Sequence, residues 1–423
     1  MEPTKPKAEN PINPHRGPLY TLRFREFRLF WIGQIAQACG MMMFNFTLGW
    51  LAFELTGSPA KLALVHLFGF APQIALTLVG GVLADRWDAR KLIGFAETAS
   101  ALVMFALGAL TLAGLVEFWH LALASFLIGA TTSIDEPARS TFFSRLLPDR
   151  SHLRAAVPLV SMAWGGTRIV APSIAGFVIA AAGAEASFLV AACGISLLVA
   201  IMTMLHPAAP ASPSHGGGML GNFTASVRYV HGKEVFAKVI LAALLNACFA
   251  MGYVHMLPVF AKDVLAVDAR GLGILSSASG VGSITGLLTF AWTQRHVSPR
   301  NIILAALTCL NVALLIFAWS DSFYLSVALL AVAGLAHSYF LTGTQVILQT
   351  LVEENYRGRV MALFSLVWSM MVLSGFLLNL IADITSPRWA LTCGNLAVLC
   401  FVWLSLARSL PLREVRLGGP TAS

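Results

Sequence analysis

The constraint that dominates this sequence is a recurring length. Twelve uncharged or nearly uncharged stretches fall near 29–53, 62–84, 92–116, 119–143, 159–181, 186–205, 236–260, 271–292, 301–319, 322–346, 360–383 and 389–407. Each is close to the ~20 apolar residues with which a helix crosses a ~30 Å hydrocarbon layer. Backbone N–H and C=O groups find no water there, so such a segment satisfies them internally as α-helix. Charged residues make up only 11% of the chain, where soluble proteins carry roughly 25%. A single aqueous core cannot hide that much apolar surface. The fold class expected is an all-α membrane protein with twelve transmembrane helices, called spans 1 to 12 below.

Basic residues choose the orientation, because short cytoplasmic loops retain Lys and Arg. With both termini cytoplasmic, the cytoplasmic segments and the cytoplasmic ends of the spans hold 23 of the 28 bases, the outer loops hold four (Lys61, Lys262, Arg270 and Arg388), and Arg168 lies deeper, within span 5. Topology thereby explains the net charge of +8. The bases are spread over loops rather than gathered on one soluble face, which argues against a nucleic-acid partner. Residues 1–28 are polar, punctuated by proline, and end in Arg23, Arg25 and Arg28. They do not read as a cleaved leader, so span 1 is expected to be the targeting signal. All six cysteines (Cys39, Cys193, Cys248, Cys309, Cys393 and Cys400) fall inside spans without CxxC or His-paired spacing. They read as small buried apolar residues, and no metal or other cofactor is expected. The stretches GxxxxGK[ST], HExxH and GxSxG do not occur, which speaks against direct ATP use and against an intramembrane hydrolase.

The longest break, opening "HPAAPASPSHGGGMLGN" at His206, separates six spans from six. His215 there reads as part of a flexible linker, with a metal role as the alternative. Beyond it, Phe223, Val227 and Val230 stand at helical spacing beside Arg228 and Lys233, which suits either a helix lying on the cytoplasmic membrane face or a linker with some apolar residues. The division expected is a cytoplasmic tail over 1–27, a six-helix bundle over 28–205, a cytoplasmic linker over 206–235, a second six-helix bundle over 236–408, and a cytoplasmic tail over 409–423. The halves look duplicated. "SRLLPDRSHLRAAVPLVSM", Ser144 to Met162, shares its pattern with "QTLVEENYRGRVMALFSLV", Gln349 to Val367. Two pseudo-symmetric six-helix bundles are a common transporter plan, with a site near the midplane between them. On span 8, Gly282 and Gly286 form a small-xxx-small pair that lets another helix approach closely.

Charges inside spans are costly and are functional candidates by default. They are Glu97 on span 3, Asp135, Glu136 and Arg139 on span 4, and Arg168 on span 5. Counting from the expected cytoplasmic ends at ~1.5 Å per residue, Asp135 and Arg168 lie about 12 to 14 Å deep on neighbouring spans, and Glu97 about 9 Å deep. Two readings of Asp135 with Arg168 stand: a static ion pair tying the two spans together, and a proton-coupling or substrate role. Arg139 is four residues after Asp135 and three after Glu136, within reach of either. Glu97 is either a partner of loop bases or a proton carrier.

Between spans 2 and 3 stands "GGVLADRWDARKL", Gly80 to Leu92. With two halves of six, this stretch resembles the major facilitator superfamily, whose motif there is Gly, three residues, Asp, Arg, any residue, Gly, Arg, then Arg or Lys. Gly81, Asp85, Arg86 and Arg90 match it; Asp88 replaces the usual Gly and Ala89 the usual Arg. "DEPARSTFFSRLLP", "TRIVAPSIAG" and "RGRVMALFSLV" resemble the branch that holds the enterobactin exporter and related drug and siderophore effluxers. The resemblance implies a charge network of Gly81, Asp85, Arg86 and Arg90 with Asp135 or Glu136, Arg139, and the start of span 11 near Arg359. It implies a central cavity lined by spans 1, 4, 7 and 10, whose polar residues are Gln34, Gln37, Asn45, Asn246, His255, His337, Tyr339 and Gln345. Trp31, Phe44 and Trp50 on span 1 are candidate aromatic walls or anchors. "APSIAG", Ala171 to Gly176, has Ala where the antiporter pattern has Gly. The function implied is secondary active transport by alternating access: proton-coupled efflux, by antiport, of a small amphiphilic compound, drug or siderophore-like, across a bacterial cytoplasmic (inner) membrane. Protons, the small-molecule substrate and the lipid bilayer are then its partners, with no obligate protein partner. Nutrient import or uniport is the alternative within transport; a transporter-like sensor or assembly factor, or an intramembrane enzyme, stands outside it.

Overall fold

The computed structural model describes residues 18–147, 152–205, 234–352 and 354–406. The tails before 18 and after 406 and most of the expected linker, including His215 and the segment around Val227, lie outside the described residues. Among the described residues the ordered elements are helices, and none is a strand. In chain order they are α1 (Arg25–Thr56), α2 (Pro59–Arg86), α3 (Ala89–Leu112) and α4 (Phe118–Phe142), then one long run, Leu153–Met204. That run breaks at Gly183, whose φ of 85° and ψ of 168° are non-helical, into α5 (153–182) and α6 (184–204). There follow α7 (Glu234–Phe249), α8 (Tyr253–Val259), α9 (Ala269–Thr293), α10 (Pro299–Ala318), α11 (Phe323–Leu351), α12 (Glu354–Ile384) and α13 (Pro387–Phe401). Nine described segments are long and apolar enough to cross a membrane. Segment α4, which carries His120, Asp135, Glu136 and Arg139, falls short of that measure.

Local chemistry sets many of the helix starts. Ser-Pro occurs at 58–59, 298–299 and 386–387; each serine accepts from the backbone N–H three residues on, and each proline takes the first helical position. There its missing N–H costs nothing. Asp88 and Asp268 cap α3 and α9, accepting from the Arg90 and Gly271 N–H groups respectively. Span 7 is not one helix: it stops at Phe249 and restarts at Tyr253. At the break, the Gly252 N–H donates to Ser374 Oγ at 3.1 Å, and a Cβ there would collide with α12.

Each half holds a close-packed helix pair. Segment α2 lies on α4 at Gly80, where a Cβ would collide with the Ser133 carbonyl, and α9 lies on α11 at Gly282 against the Ala331 carbonyl. Pro137 supplies no N–H to the Ser133 carbonyl, and this is where α2 makes its approach. The outer surface is apolar, with side chains such as Phe95 and Leu288 largely exposed, as a lipid-facing surface requires. This corrects the reading of the cysteines. Cys193, Cys309, Cys393 and Cys400 are exposed and Cys39 and Cys248 half-buried, because a thiol facing hydrocarbon needs no core to be in apolar surroundings.

The halves meet toward the side of the α1–α2 turn. Ser58 Oγ donates to Asp383 Oδ1 of α12 at 2.8 Å, and the Ala60 N–H reaches the same oxygen at 3.3 Å. Ser173 of α5 and Ser277 of α9 pair at 2.7 Å. The rings of His66 of α2 and His255 of α8 pack at a tilt of 59° with centroids 4.7 Å apart. Among the described residues, the polar contacts between halves lie from mid-helix toward this side.

Candidate functional site

Within the N-terminal half, α4 places Asp135 and Arg139 one turn apart, so a single helix face carries both signs of charge. Arg139 Nε donates to Asp135 Oδ2 at 3.0 Å, and Nη1 donates to Gln37 Oε1 of α1 at 2.8 Å. Nη2 pairs with both Asp135 and Glu97 of α3. The guanidinium thus ties together three helices. Only 8% of Arg139, 7% of Asp135, 3% of Gln37 and 2% of Glu97 is exposed, so these charges sit where desolvation is costly and each depends on its partners. Two carboxylates share one base, leaving Glu97 Oε2 and Asp135 Oδ1 without a partner; both amide atoms of Gln34 are likewise unpartnered and buried.

The cluster forms part of the wall of a cavity of about 370 Å³. Phe30, Phe143 and Trp164 supply aromatic surface, Val160 and Met41 aliphatic surface, and Gln73, Ser100, Thr132, Glu136 and Ser140 further polar groups. All of these lie on α1–α5 except Phe143, in the 3-10 turn that follows α4, and they sit beyond the inter-half contacts and toward the other side of the molecule. Sequence reading missed Gln73, Ser100, Thr132, Trp164, Phe30 and Phe143. Ser100, three residues after Glu97, and Trp164, four before Arg168, carried a helical-spacing signal.

The structure separates residues that depth alone had placed together. Asp135 binds Arg139, not Arg168. Segment α5 starts at Leu153, so Arg168 lies midway along it; it is exposed, within electrostatic reach of Tyr253 and His337 across the halves. Glu97 is bound by Arg139 of α4 rather than by a loop base. Glu136 is exposed in the cavity wall, one step around the helix from the cluster. Arg90 is drawn away from it: Nε and Nη2 donate to the Met202 and Thr203 carbonyls at the end of α6, at 2.7 and 2.6 Å. Arg86 is exposed at the end of α2. Gly81 faces open space, whereas its neighbour Gly80 makes the close approach to α4. The side chains of Asp85 and Arg359 lie outside the described ones.

Of the expected cavity residues, Gln34 and Gln37 line the cavity. Asn45 is exposed and donates to the Met41 carbonyl of its own helix at 2.9 Å. Asn246 and His337 line a separate void of about 10 Å³ in the C-terminal half, room for no more than a water. His255 lies outside the cavity, its ring against that of His66 and its Nε2 buried without a hydrogen-bond partner. Tyr339 bonds Thr293 at 2.7 Å and Thr289 at 3.0 Å, tying α11 to α9. Gln345 lines neither space. The aromatic residues of α1 also serve packing: Trp31 donates to the Leu159 carbonyl at 2.9 Å, Phe44 packs on Phe188, and Trp50 enters the core of the opposite half.

Comparison with known proteins places this geometry in a wider context. A family model described as "Transmembrane secretion effector" matches residues 16–417. The multidrug efflux pump Tap of Mycolicibacterium fortuitum is 24% identical, over 82% of this chain and 85% of the relative. An enterobactin exporter of Escherichia coli is 24% identical, over 71% of each chain. Among solved structures, the nucleoside transporter NupG superposes with a TM-score of 0.70 at 16% identity, covering 92% of this chain and 99% of that one.

Proposed function

Because the chain belongs to the transmembrane secretion effector family of major facilitator transporters, we propose that it is a proton-coupled exporter of a small amphiphilic compound. In this reading it works by alternating access, with twelve spans in two six-helix halves and both termini cytoplasmic, in a bacterial inner membrane. The observation that carries the coupling is the sharing of Arg139 by Glu97 and Asp135 inside a cavity. Two carboxylates on one guanidinium have room for one proton, and a group with that capacity is what an antiporter must expose to each side in turn. With the halves closed at Ser58 and Asp383, the cavity faces the cytoplasm; substrate enters there as the proton leaves. Export as the direction follows the relatives, one named as an efflux pump and one as an exporter.

The test uses inside-out vesicles with an acidified lumen and a trapped pH dye, challenged with cationic, neutral and anionic amphiphiles. A transported compound raises luminal pH as protons leave in exchange. Asp135→Asn abolishes the signal, and Glu136→Gln, outside the guanidinium cluster, retains it. Full coupled transport by Asp135→Asn would overturn the assignment.

A further inference from the structure

The cluster has an imbalance that its own residues do not cure. All three nitrogens of Arg139 are engaged, on Asp135, Gln37 and Glu97. The buried polar atoms left at the cavity are Glu97 Oε2, Asp135 Oδ1, Gln34 Oε1 and Gln34 Nε2. That is three oxygens, with two lone pairs each, against one amide nitrogen with two N–H groups, so acceptors remain in excess whichever way the Gln34 amide is turned. Gln34 is only 1% exposed, so its unpaired amide is not simply hydrated by bulk water, and buried polar groups of this kind call for a partner. In formal charge the cluster holds two acids against one base. A ligand that fits must therefore bring N–H donors and positive charge. An anion would meet surplus carboxylate, and a neutral alcohol would leave the surplus charge standing.

We propose that the cavity binds a ligand with a protonated amine, its ammonium against Glu97, Asp135 and Gln34 and its apolar body along Phe30, Phe143 and Trp164. The aromatic faces suit such a ligand twice, by apolar contact and by attraction between their π-clouds and a cation. A cavity of about 370 Å³ lies within the range of small-molecule sites. This deepens the export reading and rests on it for the cavity's role in transport. It selects basic, amine-bearing amphiphiles over acidic chelators as cargo.

The experiment compares three ligands of one skeleton, 4-phenylbutylamine, 4-phenylbutanol and 4-phenylbutyrate, by calorimetric titration of the purified protein in nanodiscs at a pH where the amine is charged. The amine binds at least about tenfold more tightly than the alcohol, and the carboxylate most weakly. Glu97→Gln lowers amine affinity about tenfold and leaves alcohol affinity within about twofold. If Glu97→Gln does not yield a monodisperse protein, the wild-type ranking decides alone. Equal affinity for amine and alcohol, or tighter binding of the carboxylate, overturns the proposal. The two readings fail separately: preferential amine binding without substrate-driven proton movement removes proton coupling and keeps this site, whereas proton movement driven only by neutral or anionic compounds does the reverse.

Discussion

Arg139 concentrates the energetics of the site in one side chain. Its planar fork meets Asp135, Glu97 and Gln37 in different directions at once, which a lysine, with one compact point charge, cannot do. Removing the base from a buried pair leaves uncompensated charge and typically costs ~3–5 kcal/mol. Arg139→Gln is therefore expected to lower thermal stability in nanodiscs by several degrees or more, with Arg139→Lys intermediate. Adding Glu97→Gln to Arg139→Gln removes one stranded acid, so the double variant should recover stability by roughly 0.5–3 kcal/mol relative to additive losses. Strict additivity in the thermal unfolding of the four proteins would show that the two side chains do not interact. Sequence reading found every charged member of this cluster, because charge within an apolar span is conspicuous. It left Arg139 open between two acids and gave Asp135 a second partner in Arg168. Depth along a helix says nothing of rotation about its axis, and the start of α5 at Leu153 lies several residues before the apolar run begins. The i, i+4 relation of Asp135 to Arg139 needed no such estimate.

At the scale of elements, α2 and α12 pack across the halves and each carries an aspartate in its last turn, Asp85 and Asp383. Asp383 accepts from Ser58 Oγ and the Ala60 N–H at the start of α2, where a helix N-terminus favours an anion by ~0.3–1 kcal/mol. The expected counterpart is Asp85 toward the start of α12 on the cytoplasmic side. Two aspartates at opposite ends of one helix pair would then latch opposite states. Asp383→Asn should shift the conformational equilibrium away from outer closure by roughly two- to fivefold, and Asp85→Asn should shift it toward that state. Distances between spin labels on the α1–α2 and α12–α13 turns, on a background with the native cysteines replaced, would resolve this. Shifts of the same sign in both variants would remove the paired latch, and no shift in Asp383→Asn would reduce its contact to helix capping.

For the whole molecule, the apolar spans and the close helix contacts were legible because the bilayer writes itself into composition and small residues into spacing. Gly282 announced the approach of α9 to α11. The break at Gly183 falls in the gap expected between spans 5 and 6, whereas the one at Ala250–Gly252, inside span 7, was not visible, since a glycine in an apolar run looks the same whether it packs or bends. The cavity's aromatic wall was obscured for a related reason: Trp31, Phe44 and Trp50 differ from Trp164 and Phe143 in what faces them, and only the packed halves decide that. This separation between the moving frame and the charged cluster leads to a prediction about coupling. The inter-half contacts at Ser58, Asp383, His66 and His255 do not involve Glu97, Asp135 or Arg139, so in the proposed alternating-access cycle rocking of the halves would not require the cluster to change its charge. Neutralising one acid should then uncouple rather than arrest the protein. In proteoliposomes, Asp135→Asn should lose accumulation of substrate against its gradient under an imposed pH gradient, by at least about tenfold. Exchange of labelled for unlabelled substrate at equal, saturating concentrations should keep its maximal rate within about threefold of wild type, while the half-saturating concentration rises because the ammonium has lost one carboxylate. Loss of both activities together would mean that the cluster is needed for movement of the halves themselves; retention of both would mean that the proton passes elsewhere.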